Sequence, residues 1–77
     1  MPKLYSSQEV VKTLERQGFA FISQRGSHAK YRKRDGDVIF TVIVPAGRKQ
    51  IPRGTFRSIL RQSGLDEGAF GSSEPRG

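Results

Sequence analysis

The apolar positions of this chain recur first at helical spacing and then at the spacing of strands. Val10, Val11 and Leu14 form one stripe while Lys12, Glu15 and Arg16 fall outside it, which predicts an amphipathic helix. Its start reads Ser6-Ser7-Gln8-Glu9, a capping box with Ser6 as N-cap and Glu9 reaching back from N3. Tyr5 and Val10 stand where a hydrophobic staple closes. Gly18 suits the left-handed residue that ends a helix, and Phe19 then meets Leu14 in a Schellman ending. Three strands follow. Phe19 to Gln24 is apolar and aromatic, and a turn at Arg25-Gly26 leads to a second strand over His28–Lys33. Asp35-Gly36 predicts a tight hairpin. Val38–Val44 is the strongest strand signal, dense in β-branched residues, and Pro45 ends it. A loop from Ala46 to Pro52 carries Arg48 and Lys49. A second helix runs from Arg53 to Ser63 with Phe56, Ile59 and Leu60 on its apolar face. Gly64 repeats the stop signal, and Leu65 is placed to touch Leu60. Residues 66–70 add one more turn that docks Phe70.

The order α-β-β-β-α with short connections predicts an α+β fold: a three-stranded antiparallel meander with two helices on one face. That layout is similar to a double-stranded-RNA-binding domain. Residues 1–70 are expected to form a single domain, and 71–77, small and polar, a disordered C-terminal tail. Strand Val38–Val44 is apolar on both faces. Two readings stay open for it: an edge that pairs with another chain, a second copy included, or a strand packed fully inside.

Composition narrows the function classes. Seventy-seven residues allow one domain with a modest core. Cysteine is absent, which removes disulfides and thiolate–metal chemistry, and one histidine does not make a structural zinc site. The N-terminal residues carry no apolar signal core, and no apolar run approaches membrane-spanning length, so the cytoplasm is the expected compartment. Asp35 and Asp37 flank Gly36; a divalent-cation site is conceivable there, but paired acids in a hairpin serve turn geometry more often. No metal or cofactor is expected.

The charge is +7, and it is concentrated. Residues 25–61 hold ten bases and two acids. Such a field gathers polyanions, and nucleic acid is the candidate it points to. Within it sits the only histidine, in Gly26-Ser27-His28-Ala29-Lys30-Tyr31. Residues two apart on a strand share a face, which aligns His28 with Lys30 and Arg32 and turns Ala29 and Tyr31 the other way. An imidazole titrates near neutrality and suits proton transfer; flanking cations suit a phosphodiester. The competing reading is a histidine that hydrogen-bonds a strand end. Gly26 permits close approach to a ligand and Ser27 offers a hydroxyl, or the two simply form a turn. Arg53, Arg57 and Arg61 recur at helical spacing, with Gly54 and Thr55 near a helix start that suits phosphate. The competing reading is a solvated helix face.

These residues resemble the HicA toxin family, the small ribonucleases of HicAB-type toxin–antitoxin pairs. The resemblance covers roughly residues 3–70. It is carried by the helix ending in Gly18-Phe19, by Arg25-Gly26-Ser27-His28 with Tyr31, by the Asp-Gly turn, by the Val44-Pro45 strand end and by the run from Arg53 to Leu65. It implies a double-stranded-RNA-binding-like fold, mRNA cleavage, a catalytic His28 and neutralisation by a HicB-like antitoxin. Many relatives have a second histidine where this chain has Ala29, and another just after the strand-ending proline, where it reads Ala46-Gly47. His28 therefore has to work without another imidazole. On this reading His28 takes the proton of a ribose 2′-OH. Arg25, Gly26, Ser27, Lys30, Arg32, Lys49, Arg53, Thr55 and Arg57 contact the RNA, and Lys30, Tyr31 or water protonates the leaving group. A non-catalytic RNA-binding module is the alternative.

Overall fold

The computed structural model describes residues 4–71. In chain order the elements are α1 (Ser7–Arg16), β1 (Ala20–Arg25), β2 (His28–Asp35), β3 (Val38–Pro45), α2 (Arg53–Ser63) and α3 (Glu67–Gly71). Gly71, expected to open the tail, instead closes α3; the remainder of that tail, 72–77, lies outside the described residues.

The local signals act as their chemistry predicts. Glu9 N donates to Ser6 Oγ at 3.1 Å, and Ser6 N donates to Glu9 Oε1 at 2.9 Å, which completes the capping box. At the other end Gly18 takes φ 97°, and Phe19 N donates to Leu14 O at 2.9 Å. This Schellman ending draws Phe19 into the core, so β1 begins one residue later than its apolar run suggests. α2 stops on a left-handed Gly64 whose N–H reaches Leu60 O.

The sheet is a meander in the order β1-β2-β3, both pairs antiparallel. Each hairpin has a two-residue loop, Gly26-Ser27 and Gly36-Asp37. The first loop residue is glycine in both, at φ 58° and 62°, and no other residue type has positive φ among the described residues. That is the type II′ pattern, whose twist matches the flanking strands. Asp35 is therefore a strand residue opposite Val38, and the turn falls one position later than Asp-Gly suggests.

The two sheet faces divide as the alternation requires. Ala29 opposes Val44 and Tyr31 opposes Val42, and all four are buried. They pack against Val10 and Leu14 of α1, Phe56 and Ile59 of α2, Ile51 of the connecting loop and Phe70 of α3. Tyr5, Phe56 and Phe70 form an aromatic cluster with centroids 4.9–6.1 Å apart. β1 is exposed along its whole length, with Phe21 53% accessible. β3 is an edge strand, and its apolar surplus is split. Val42 and Val44 enter the core, whereas Val38 and Ile39 stand in solvent. α2 packs along β3, and Gln62 Oε1 accepts from Ile43 N at 2.8 Å, which closes part of that edge.

Candidate active site at His28

His28 opens β2 directly after the Gly26-Ser27 turn and pairs with Arg25 on one side and Pro45 on the other. Ala29 beneath it is buried, so the alternation holds the imidazole on the outer face of the sheet, exposed. Among the described residues no group hydrogen-bonds the ring, unlike a histidine that serves a strand end.

Two hollows meet at this side chain. One, of about 300 Å³, is lined by Ser23, Arg25, His28, Lys30 and Ile43. The other, of about 280 Å³, lies between the end of β3 and α2; His28, Arg48, Thr55, Ser58 and Gln62 supply its polar lining. Arg25, Lys30 and Arg48 thus bring positive charge to both sides of the imidazole, and no carboxylate lines either hollow. Among the described residues no three His, Asp or Glu side chains gather as a metal site.

The residues expected around His28 separate into two groups. Arg25, Lys30 and Thr55 come together with it, and Gly26 and Ser27 form the turn that presents it. Ser27 O accepts from Ala46 N at 2.7 Å, tying that turn to the segment after β3. Arg32 shares the face but lies further along β2, where its Nε donates to Thr41 Oγ1 at 3.4 Å. Lys49 borders a separate hollow with Ser6 and Gln8. Arg53 turns towards α3: its Nη1 pairs with Glu67 Oε2 at 3.1 Å, and its guanidinium lies 5.7 Å from the Phe56 ring centre. At about 100° per residue, Arg53, Arg57 and Arg61 centre roughly 130° round α2 from Thr55, Ser58 and Gln62. The arginine stripe and the His28 hollow therefore use different faces of the helix. Tyr31 is buried on the core face, away from the hollows at His28. Burial raises its pKa above the ordinary value, and the negative charge of Glu15 adds to this.

Arg48, Ser58 and Gln62 were not singled out from the sequence as site residues. The signal available was the spacing of Thr55, Ser58 and Gln62, a polar stripe beside the apolar one. The louder arginine repeat masked it.

A family model described as the HicA toxin of bacterial toxin–antitoxin matches residues 7–65. The chain belongs to the HicA toxin family. No curated protein matches it. The matched region runs from the first residue of α1 to just beyond α2, and so contains the sheet, His28 and both hollows. As a HicA-family protein the chain is the toxin component of a toxin–antitoxin pair, which implies an antitoxin partner. No helix among the described residues is long and apolar enough to cross a membrane.

Proposed function

We propose that this HicA-family toxin is a metal-independent endoribonuclease that cleaves mRNA in the cytoplasm with His28 as its single catalytic histidine. The observation that carries this reading is the convergence of an unpartnered, exposed imidazole with Arg25, Lys30 and Arg48 at the junction of two hollows.

The chemistry follows from these groups. Neutral His28 accepts the proton of a ribose 2′-OH as that oxygen attacks phosphorus. Negative charge grows on the non-bridging oxygens, where Lys30, Arg25 and Arg48 stabilise it. The 5′-oxygen leaves with a proton from Lys30 or water; Tyr31, on the far face of the sheet, does not serve. A placed general base contributes about 10²–10⁴-fold, and the charge complement adds to it. α2 starts at Pro52 without a side-chain cap, and Pro52 and Thr55 border the hollow, which adds the positive end of a helix to the phosphate environment. A HicB-like antitoxin with an acidic surface would silence the toxin by covering this face.

The test is incubation of the purified chain with RNA in EDTA. Cleavage that His28→Ala abolishes, with the fold intact, supports the reading. Intact RNA, or equal cleavage by His28→Ala, overturns it. Growth arrest on expression, lost in His28→Ala, separates the enzyme from a protein that only binds RNA.

A further inference from the structure

The hollow between His28 and α2 contains more than proton transfer and phosphate charge require. Thr55, Ser58 and Gln62 give its helical wall three neutral hydrogen-bonding side chains, and Ile43 and Pro45 give it half-buried apolar surface. Gln62 is held in one orientation. Its partner, the backbone N–H of Ile43, can only donate, so the amide oxygen faces the strand at 2.8 Å. The Nε2 hydrogens are left as donors, and among the described residues nothing accepts them. An apolar surface, hydroxyls and a fixed amide donor beside a phosphate-binding cation suit an unstacked base of a single strand, whose edges are open to hydrogen bonds.

We propose that this hollow is a nucleobase subsite. It takes one base of single-stranded RNA next to the phosphodiester held at His28, with Gln62 Nε2 donating to a ring carbonyl. The proposal rests on the ribonuclease reading and specifies its substrate: uracil and guanine are favoured over adenine. Adenine has no ring carbonyl, and its bidentate reading needs both ends of a side-chain amide. The bond from Ile43 N directs the amide oxygen at the strand, so adenine meets the Nε2 donor only through a ring nitrogen, without that paired contact.

The test measures binding of the full chain to short 2′-O-methyl oligouridylate and oligoadenylate of equal length. Methylation blocks the attacking oxygen, so turnover does not enter. Tighter binding of the uridylate by about 3- to 10-fold is expected, the worth of one hydrogen bond. Gln62→Glu keeps an oxygen for Ile43 and removes the donor. Whatever its effect on overall affinity, the ratio between the two oligonucleotides should collapse. Equal affinities in the unaltered protein overturn the subsite and leave the hollow to a side chain of the antitoxin. A preference that survives Gln62→Glu overturns it as well. A preference that Gln62→Glu erases, in a protein that leaves unmodified RNA intact, upholds the subsite and overturns the ribonuclease.

Discussion

Ser7 and Arg48 are joined by two hydrogen bonds, Ser7 N to Arg48 O and Arg48 N to Ser7 Oγ, each 2.9 Å. The same hydroxyl donates to Pro45 O. One buried serine at the start of α1 thus fixes the segment that carries the cross-strand partner of His28 and an arginine of its hollow. Ser7→Ala leaves Arg48 N and Pro45 O without that partner. The expected cost is about 1–3 kcal/mol, read by chemical denaturation. Ser6→Ala, which loses only a cap, should cost about 1 kcal/mol. If Ser7 positions Arg48, Ser7→Ala also weakens RNA binding well below its melting temperature, as Arg48→Ala does, whereas Ser6→Ala does not.

Cations that face the hollows should differ from those that do not in the salt dependence of RNA binding. Each phosphate contact on a single strand contributes about 0.7 to the slope of log affinity against log salt. Lys30→Ala and Arg48→Ala should each flatten the slope by about that amount. Arg53→Ala, with its guanidinium held by Glu67, should leave it unchanged. A flattened slope for Arg53→Ala would return the α2 arginine stripe to the RNA surface.

Gly64 couples the end of α2 to the sheet. It is left-handed at φ 71°, and a Cβ there would stand 2.8 Å from Phe40 Cε1. Gly64→Ala therefore combines a conformational penalty of about 1–2 kcal/mol with displacement of the half-buried Phe40 ring. The melting temperature should fall by about 4–8 °C for each kcal/mol lost. Gly36→Ala has open space around it and pays only for the backbone, so its drop should be smaller.

Tyr31 gives the fold an alkaline limit. Its raised pKa means that the unfolded chain releases the phenolic proton first as pH climbs. The stabilisation is complete below the ordinary tyrosine pKa, near 10, and declines as pH rises from there through the folded value. Tyr31→Phe removes this dependence. Denaturation midpoints of the two proteins should diverge above about pH 10, the unaltered protein falling faster.

The fold was legible because its signals are local. Ser6 and Glu9, Gly18 and Phe19, and the two hairpin glycines each act on neighbours within a few residues. The alternation of Ala29 and Tyr31 against His28 and Lys30 assigned the sheet faces directly. The far side of the site was not legible, because it depends on where α2 lies relative to β3. The bond from Ile43 to Gln62 spans 19 positions, and no pattern within α2 announces it. The direction of Arg53 was not legible for the same reason, since its partner Glu67 belongs to an element added after the helix. Ser7 read only as part of a capping box, and its main contacts are with residues 45 and 48.

The two-residue hairpins also bear on how quickly the chain reaches its native state. Every strand pairs with its neighbour in sequence, so the sheet forms by closing short loops, whose entropic cost is low. The exception is the seating of α1, whose Ser7 must find Pro45 and Arg48 across 38 and 41 positions. A folding nucleus of β2, β3 and α2 is the order this implies, with α1 closing late. His28 is in place once the sheet exists, but Arg48 is fixed only when that last search ends. Assembly of the site and completion of folding are then expected to coincide, which stopped-flow traces of refolding and of regained RNA binding would check.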